Sequence, residues 1–461
     1  MTDRTPKNPR LFDAQAEAAA SDTPQQKHRA GNDISDLSCD QLEVLRLVME
    51  GKSIFFTGAA GTGKSHLLRW ITKALKTRYE PEDVAVTSST GVSAVALGGR
   101  TLHSWAGIGH GKGTVPALIK QVSMNEYVAT RWRKARVLVI DEISMIGGDI
   151  LTKLDLIGRA VRRSAKPFGD LQVVACGDFY QLPPVEGGFC FKTDAWTETF
   201  TTTRILITPH RQASDTPFLK MLDELREGLL SAESKALLRE RVKPAKILDG
   251  CGAPRLMPHL EEVRRLNAVR LAELKGQERK YVIVKGRCKS DAKFESLCDG
   301  CPASEDLRLK IGARVMLIVN LCIDDELCNG STGTVVDFEL QEDSGSSEVV
   351  PIVRFDRGAM RRICRFNWKL TDEHDIVLAS LTQIPLILAW AVSIHKSQGA
   401  TLDAAAVDVA GCFATGQAYV ALSRTRTLDG LLINAVPTDR DMRPDPGVVK
   451  FYEALQRCST T

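Results

Sequence analysis

Gly58-Ala-Ala-Gly-Thr-Gly-Lys-Ser65 has the spacing G-x-x-x-x-G-K-S. The apolar run Ser53-Ile-Phe-Phe-Thr57 precedes it and a helical pattern over His66 to Leu75 follows. Strand, glycine loop and helix in that order admit few folds. The glycines let backbone N–H groups wrap phosphates, and the helix N-terminus adds partial positive charge. Lys64 is placed to reach terminal phosphates, and the Ser65 hydroxyl to hold Mg²⁺.

Three more short apolar runs look like buried parallel strands: Val84-Ala-Val-Thr87, Val137-Leu-Val-Ile140 and Val173-Val-Ala-Cys176. Helical patterns at His66 to Leu75 and Ile150 to Arg163 separate them, and Gln41 to Glu50 has helical spacing ahead of the first strand. This alternation predicts an α/β fold with a parallel sheet covered on both faces. A second alternating set starts near Ile205, with candidate strands near Arg204–Ile207, Arg314–Val319, Pro385–Ala391 and Ala405–Val409. Between Thr332 and Leu381 the runs become short, alternating and turn-bounded, which predicts a small antiparallel barrel inserted in the second unit. Its Gln341–Glu348 tract, QEDSGSSE, reads as a polar loop.

A chain of 461 residues suits two to four domains. With 43% hydrophobic and 26% charged residues it is not globally disordered. Its 61 Lys and Arg against 57 Asp and Glu leave a net charge of +4, so a polyanion partner needs a local basic groove. No apolar run approaches the roughly 20 residues of a membrane span, so no membrane is expected. The 12 cysteines are scattered, as in a reducing compartment. Cys298 and Cys301 pair with Cys288 or Cys322 at no standard zinc spacing and read as loop thiols. Residues 1–34 read as a disordered leader that gives no address, lacking a signal peptide's apolar stretch and carrying Asp3, Asp13, Glu17 and Asp22.

Leu138-Val-Ile-Asp-Glu142 places two acids at the C-terminal end of a buried strand, where open α/β sheets bind ligands. Adjacent buried acids are costly without a cation, which favours a metal–nucleotide site. Asp141 is then a Mg²⁺ ligand and Glu142 the group that orients and deprotonates water. Gln181, in Gly177-Asp-Phe-Tyr-Gln-Leu-Pro-Pro-Val185, is placed to sense a γ-phosphate. Arg211, in His210-Arg211-Gln212, and Arg424, after Tyr419-Val-Ala-Leu-Ser423, are candidate arginine fingers.

These segments together resemble the PIF (petite integration frequency) type of DNA helicase, in the 5′-to-3′ branch of superfamily one. The resemblance runs from Leu37 to about Asn434, through LSCDQLEVL, FFTGAAGTGKS, TSSTGVSAVALGGRTLHSW, LVIDEISM, CGDFYQLPPV, PHRQ, NGSTGTVV, QIPLILAWAVSIHKSQGATLD and AYVALSRTR in order. LDLIGRAVRRSAKPFGDL, from Leu154 to Leu171, is similar to the family's signature stretch. That signature commonly has two glycines where this chain has Gly169-Asp170, and RLMPHLEEV matches the family's second-unit strand motif loosely.

The resemblance implies two tandem RecA-like P-loop domains. They are 35–205, with a wedge insertion at about 106–131, and 206–331 with 382–450. An SH3-like β-barrel occupies 332–381 and a C-terminal tail 451–461. It implies an ATP-dependent 5′-to-3′ DNA helicase that moves on single-stranded DNA and unwinds duplexes and forks, in replication, recombination, repair or telomere maintenance. A monomer suffices for the mechanism, and a G-quadruplex or RNA–DNA hybrid stays open as a substrate. The expected location is intracellular: nucleus or mitochondrion in a eukaryote, cytoplasm for a bacterial or viral protein.

The catalytic set is Lys64, Asp141, Glu142, Gln181, Arg211 and Arg424, with Ser65 and Asp141 on Mg²⁺. ATP falls to Gln41, Gly58, Ala59, Ala60, Gly61, Thr62, Gly63, Lys64, Ser65, His66, Gln398 and Gly399. DNA falls to Ser89, Thr90, Gly91, Thr101 and His103 with Trp105 stacking on a base, and to His395, Lys396 and Ser397. The basic cluster Arg159, Arg162, Arg163 and Lys166 is divided between a solvated helix face and an ordered DNA surface. Two alternatives stand beside this reading: a RecD-like helicase, and a nucleotide-dependent DNA clamp that does not unwind.

Overall fold

The computed structural model describes residues 36–459 apart from 185, 213–214, 320, 322–326, 328, 344–345 and 372–375. The expected leader 1–34 and Cys322 lie outside the described residues. Six strands form one parallel sheet: β1 (Ile54–Gly58), β2 (Val84–Ser88), β3 (Arg100–Thr101), β4 (Val137–Asp141), β5 (Gln172–Cys176) and β6 (Thr202–Leu206). Their order is β3-β2-β4-β5-β1-β6. Every residue of β1, β2 and β4 is buried, as a sheet covered by helices on both faces requires.

The strand expected near Arg204–Ile207 to open the second unit therefore belongs to the first. It lies parallel to β1 at the sheet edge, with Ile54 opposite Thr202 and Gly58 opposite Leu206. Four of its five residues are only half-buried, as an edge position allows. The stretch 106–131 holds the helices Val115–Met124 and Glu126–Lys134, whose Leu118, Val122, Val128, Ala129 and Trp132 join the core under the sheet.

A second parallel sheet holds β7 (Arg255–Met257), and the chain then makes a long antiparallel excursion. Its strands are β8 (Arg279–Val282), β9 (Val284–Cys288), β10 (Asp306–Leu309), β11 (Arg314–Leu317), β12 (Thr332–Asp343), β13 (Ser346–Phe355), β14 (Met360–Arg362), β15 (Phe366–Thr371), β16 (Val377–Gln383) and β17 (Leu386–Leu388). They form sheets β14-β13-β12-β11-β17, β15-β16-β9 and β10-β8 around one apolar core. The excursion is wider than the expected 332–381. The runs near Arg314–Val319 and Pro385–Ala391 are drawn into it, because β11 and β17 pair antiparallel with each other, Val315 opposite Leu388. QEDSGSSE is not a loop throughout, since its ends continue the β12–β13 pair from Gln341 opposite Glu348 to Asp343 opposite Ser346.

The chain returns through β18 (Ala391–Ser393), β19 (Ala405–Val407) and β20 (Leu431–Ile433), completing the sheet β18-β7-β19-β20. All its pairings are parallel. The architecture is thus α/β, two parallel sheets with an antiparallel insertion.

The signature stretch is a packing device. A side chain at Gly158 would meet the Phe168 backbone at 2.8 Å, so the helix Gly148–Arg162 lies directly on the 167–169 turn. Arg162 donates to the carbonyls of Gly169, Trp132 and Ala135, and Arg159 pairs with Asp155 and Glu198. Both arginines are spent inside the first unit rather than on a DNA surface. Asp170 stands at φ 68°, the left-handed region that the family's usual glycine occupies without strain.

The expected tail at 451 is the second half of a docked helix, Pro446–Ser459. Val448 and Tyr452 are buried in the first unit's core. Phe451 stacks on Phe191 at 4.4 Å and meets Phe179 at 5.5 Å and Trp196 at 5.9 Å. Phe451→Ala should lower unfolding stability by about 3 kcal/mol, the usual loss for a phenylalanine removed from a packed cluster. Urea denaturation measures it, and an unchanged midpoint would mean the helix is not held there.

Candidate active site and nucleic-acid interface

The order β4-β5-β1 places three loops side by side at the C-terminal sheet edge. β1 delivers the glycine loop, β5 delivers Asp178 and Gln181, and β4 ends in Asp141. Gly61 and Gly63 have φ of 91° and 77°, so the loop takes turns that suit glycine. A side chain at Gly61 would strike Gln212 at 2.5 Å, and one at Gly63 would strike Gln41 at 2.6 Å. His210 and Arg211 donate their backbone N–H groups to Gly61 O at 2.8 and 3.2 Å. Gln41 is fully buried and its Nε2 donates to Thr62 O at 3.3 Å.

Lys64 Nζ donates to the carbonyls of Gly58 (2.8 Å) and Ala59 (3.1 Å) in its own loop. Burial holds it below the usual lysine range, against the pull of Asp178 and Glu142. Asp141 is 2% exposed and accepts from Glu142 N at 3.0 Å, from the Cys176 thiol at 3.0 Å and from Ser93 Oγ. Burial first, then the Asp141 charge, pushes the Glu142 carboxyl up to about 7. Its Oε2 is buried with no hydrogen-bond partner, as are both amide atoms of Gln398. Unpartnered buried polar atoms of this kind call for a polar ligand.

Arg424 arrives from the second unit, and Arg211 from the loop that leaves β6. Arg424 is 2% exposed; its Nε donates to Val420 O at 2.6 Å and its Nη2 to Ser423 Oγ at 2.9 Å. Arg211 Nη1 donates to Ser423 O at 3.1 Å. Burial and the Arg424 charge push Arg211 down to about 9. Lys64, Arg211 and Arg424 thus gather positive charge beside the carboxylates of Glu142 and Asp178. Ala60 N donates to Tyr419 Oη at 2.7 Å, which ties the glycine loop to the second unit. Ser65, His66 and Gly399 are exposed around this cluster, and Gly399 sits at φ 78°. Gln181 is buried and tied to Asp178 at 3.4 Å.

The residues assigned to DNA divide. Ser89, Thr90, Gly91 and His103 are half-buried on loops and helix starts after β2 and β3, and Ser89 Oγ has no partner. Thr101 caps the helix Leu102–Ala106, accepting from Ser104 N. Trp105 is not a base-stacking residue. It is 3% exposed and packed on Trp132 at 4.5 Å, because the short helix turns it under the loop. On the second unit His395 and Lys396 are exposed. Ser397 is 1% exposed and donates to Ile394 O at 2.8 Å, which removes it from any surface.

Sequence reasoning missed three side chains that meet beside the cleft: Asp178 and Tyr452, both buried, and the half-buried Arg226. Arg226 Nη2 donates to Asp178 Oδ1 at 2.9 Å, and Tyr452 Oη lies 3.1 Å from the same oxygen. The guanidinium lies over the rings of Tyr180 (4.4 Å) and Tyr452 (4.9 Å). The signal for Tyr452 was present in the spacing Val448, Tyr452, Leu455. Among the described residues no three His, Cys, Asp or Glu are grouped to hold a metal, and no helix is long and apolar enough to cross a membrane.

Residues 36–234 match the family description PIF1-like helicase, and 294–338 match DNA helicase Pif1, 2B domain. The human ATP-dependent DNA helicase PIF1 is 41% identical over 430 residues, 91% of this chain and 64% of that protein. The protein of the same name from Rattus norvegicus is 40% identical over 98% of this chain and 69% of its own. This chain therefore spans about two thirds of the length of the curated relatives it matches. Pif1 helicase from Candida albicans, 40% identical, covers 91% of this chain and 99% of its own with a TM-score of 0.75. Bacteroides sp Pif1 in complex with ADP-AlF4, 31% identical, covers 91% and 97% with a TM-score of 0.76. With identity at this level over nearly the whole chain, and the same fold, the chain belongs to the PIF1-like helicase family.

Proposed function

We propose that this chain is an ATP-dependent DNA helicase that moves 5′ to 3′ on single-stranded DNA and unwinds duplexes and forks in genome maintenance. The carrying observation is the cleft cluster, in which Lys64 and Glu142 of the first unit face Arg211 and Arg424 held on Ser423 and Val420 of the second. Family membership supports it, as do relatives solved with ADP-AlF3 and single-stranded DNA and at forked duplex DNA.

ATP is the substrate whose phosphates these cations take. Lys64 exchanges its own loop carbonyls for phosphate oxygens. Arg211 and Arg424 repel one another without a counter-ion, and a triphosphate relieves that repulsion best when the cleft is closed. Glu142, poised near neutrality, takes a proton from the water that attacks the γ-phosphorus, and ADP leaves. Ser65 and Asp141 are the residues that would hold Mg²⁺, and their hard oxygen atoms beside the buried acid pair fit it. Bound there, the ion supplies charge neutralisation for the phosphates. Hydrolysis removes the charge that the arginines grip, and the cleft reopens.

The DNA track in this reading passes the loops of Ser89, Thr90, Gly91 and His103, then His395 and Lys396. Met124 (76% exposed) and Tyr127 (61%) stand at the turn between the helices Val115–Met124 and Glu126–Lys134, which suits an apolar wedge against a base pair. The antiparallel insertion is then a clamp. Both arginines and the glycine loop lie in one chain, so one copy completes the ATP cycle.

Unwinding of duplexes with a single 5′ or 3′ tail tests the reading: a 5′ tail should be required, and a preference for 3′ tails would reject it. Arg424→Ala should cut DNA-stimulated ATP turnover by about 10³-fold or more while nucleotide-free DNA affinity stays level. Loss of DNA affinity with turnover intact would place Arg424 on the track instead. Glu142→Gln should slow hydrolysis by about 10²–10⁴-fold with ATP still bound. It also has a pH signature. A carboxyl raised from 4.5 to about 7 on folding binds more protons when folded, so its ionisation erodes stability as pH rises through that window. The nucleotide-free variant should therefore gain on the order of 1–3 kcal/mol at pH 8 and lose that gain toward pH 4.5, read by denaturant titration at both pH values.

A further inference from the structure

The three loops that leave β7, β18 and β19 begin at the C-terminal ends of neighbouring strands, since the sheet order is β18-β7-β19-β20 and all pairs are parallel. Each loop brings one flat ring to the same place. His259 follows β7, His395 follows β18 and Phe413 follows β19. The Phe413 ring lies 5.2 Å from His259 at 22° and 6.4 Å from His395 at 24°. Both histidine rings from the neighbouring loops thus lie nearly parallel to Phe413, which stays 65% exposed.

That exposure is built in. Phe413 N and Ala414 N both donate to Gln417 Oε1, at 2.9 and 3.3 Å, and Gln417 is fully buried. Cys412 N donates to Val409 O at 3.1 Å, and Gly411 makes the turn at φ 99°. A rigid loop that holds a phenylalanine out in water forgoes the gain of burying it, unless something flat covers the ring.

Charge beside the rings narrows what that cover is. Lys396, next to His395, makes no ion pair among the described residues. Although its side chain reaches solvent, partial desolvation of its ammonium and then the Arg264 charge hold it below the usual lysine range, with no acid opposing them. Burial also keeps His395 low, so at neutral pH it offers an uncharged ring face. An unpaired cation beside an uncharged aromatic face matches a phosphate next to a base, the repeating pair of single-stranded nucleic acid.

We infer that Phe413, backed by His259 and His395, stacks on a base of the single strand while Lys396 holds an adjacent phosphate. This rests on the helicase reading and adds a base-stacking contact on the second unit, where the buried Trp105 of the first provides none.

The experiment compares the full chain with Phe413→Ala and Phe413→Trp, binding two oligonucleotides of equal length by fluorescence anisotropy without nucleotide. One is oligothymidine. The other keeps the same sugar–phosphate chain but lacks bases. Phe413→Ala should bind oligothymidine about tenfold more weakly, Phe413→Trp should bind it at least as well as the parent, and all three should bind the abasic strand alike. Circular dichroism of each variant should match the parent, because the ring is exposed. Unchanged oligothymidine affinity in Phe413→Ala overturns the inference. So does an equal loss on the abasic strand, which would make the ring a support for phosphate contacts or a protein-docking residue. Those outcomes leave the helicase reading standing. A parent chain that binds neither strand would overturn both.

Discussion

The carboxylate of Asp178 is fully buried, and much of the molecule is arranged to let it stay ionised there. Burial alone would push its proton affinity up; the charges of Arg226 and Lys64 pull harder and hold it below the usual carboxylate range. The partners come from three places: Arg226 on the helix Thr216–Glu227, Tyr452 on the C-terminal helix, and Gln181 on the loop after β5. Thr216–Glu227 is itself packed into the second unit through Phe218, Met221, Leu222 and Leu225. Removing one member of a buried ion pair leaves the other uncompensated, at a cost of about 3–5 kcal/mol. The sensor loop, the second unit and the helix Pro446–Ser459 therefore meet at a single charge.

This network sits immediately beside the nucleotide cluster. Lys64 feels both Asp178 and Glu142, and Glu142 in turn feels Lys64 and Arg424. A negative ligand entering the cleft changes the electrostatic balance of every one of these groups. The same charges that hold the units together in the absence of ligand thus also report its arrival.

What could be read in the sequence was local. The glycine loop, the acids after β4 and the strand–helix alternation are set by neighbours within a few residues, and the structure places Lys64, Asp141 and Glu142 at the same edge of one sheet, on strands separated only by β5. What could not be read depended on distant pairing. β6 has the composition of any short strand, and only its register with β1, about 150 residues earlier in the chain, assigns it to the first sheet. β11 and β17 look like parallel core strands until their antiparallel pairing across 70 residues is known. Trp105 and Phe413 are both aromatic residues in loop-like surroundings; burial of one and exposure of the other follow from what packs beneath them, which no local pattern records. The signature arginines look like a basic surface because charge is visible in a sequence and the carbonyls that absorb it are not.

The helix Pro446–Ser459 makes the path of the chain a closed circuit. The polypeptide leaves the first unit after β6, builds the second, and returns to the aromatic cluster of the first. Two separate segments therefore cross between the units, the one that leaves β6 and the helix that returns, and any movement of one unit against the other has to be taken up by both.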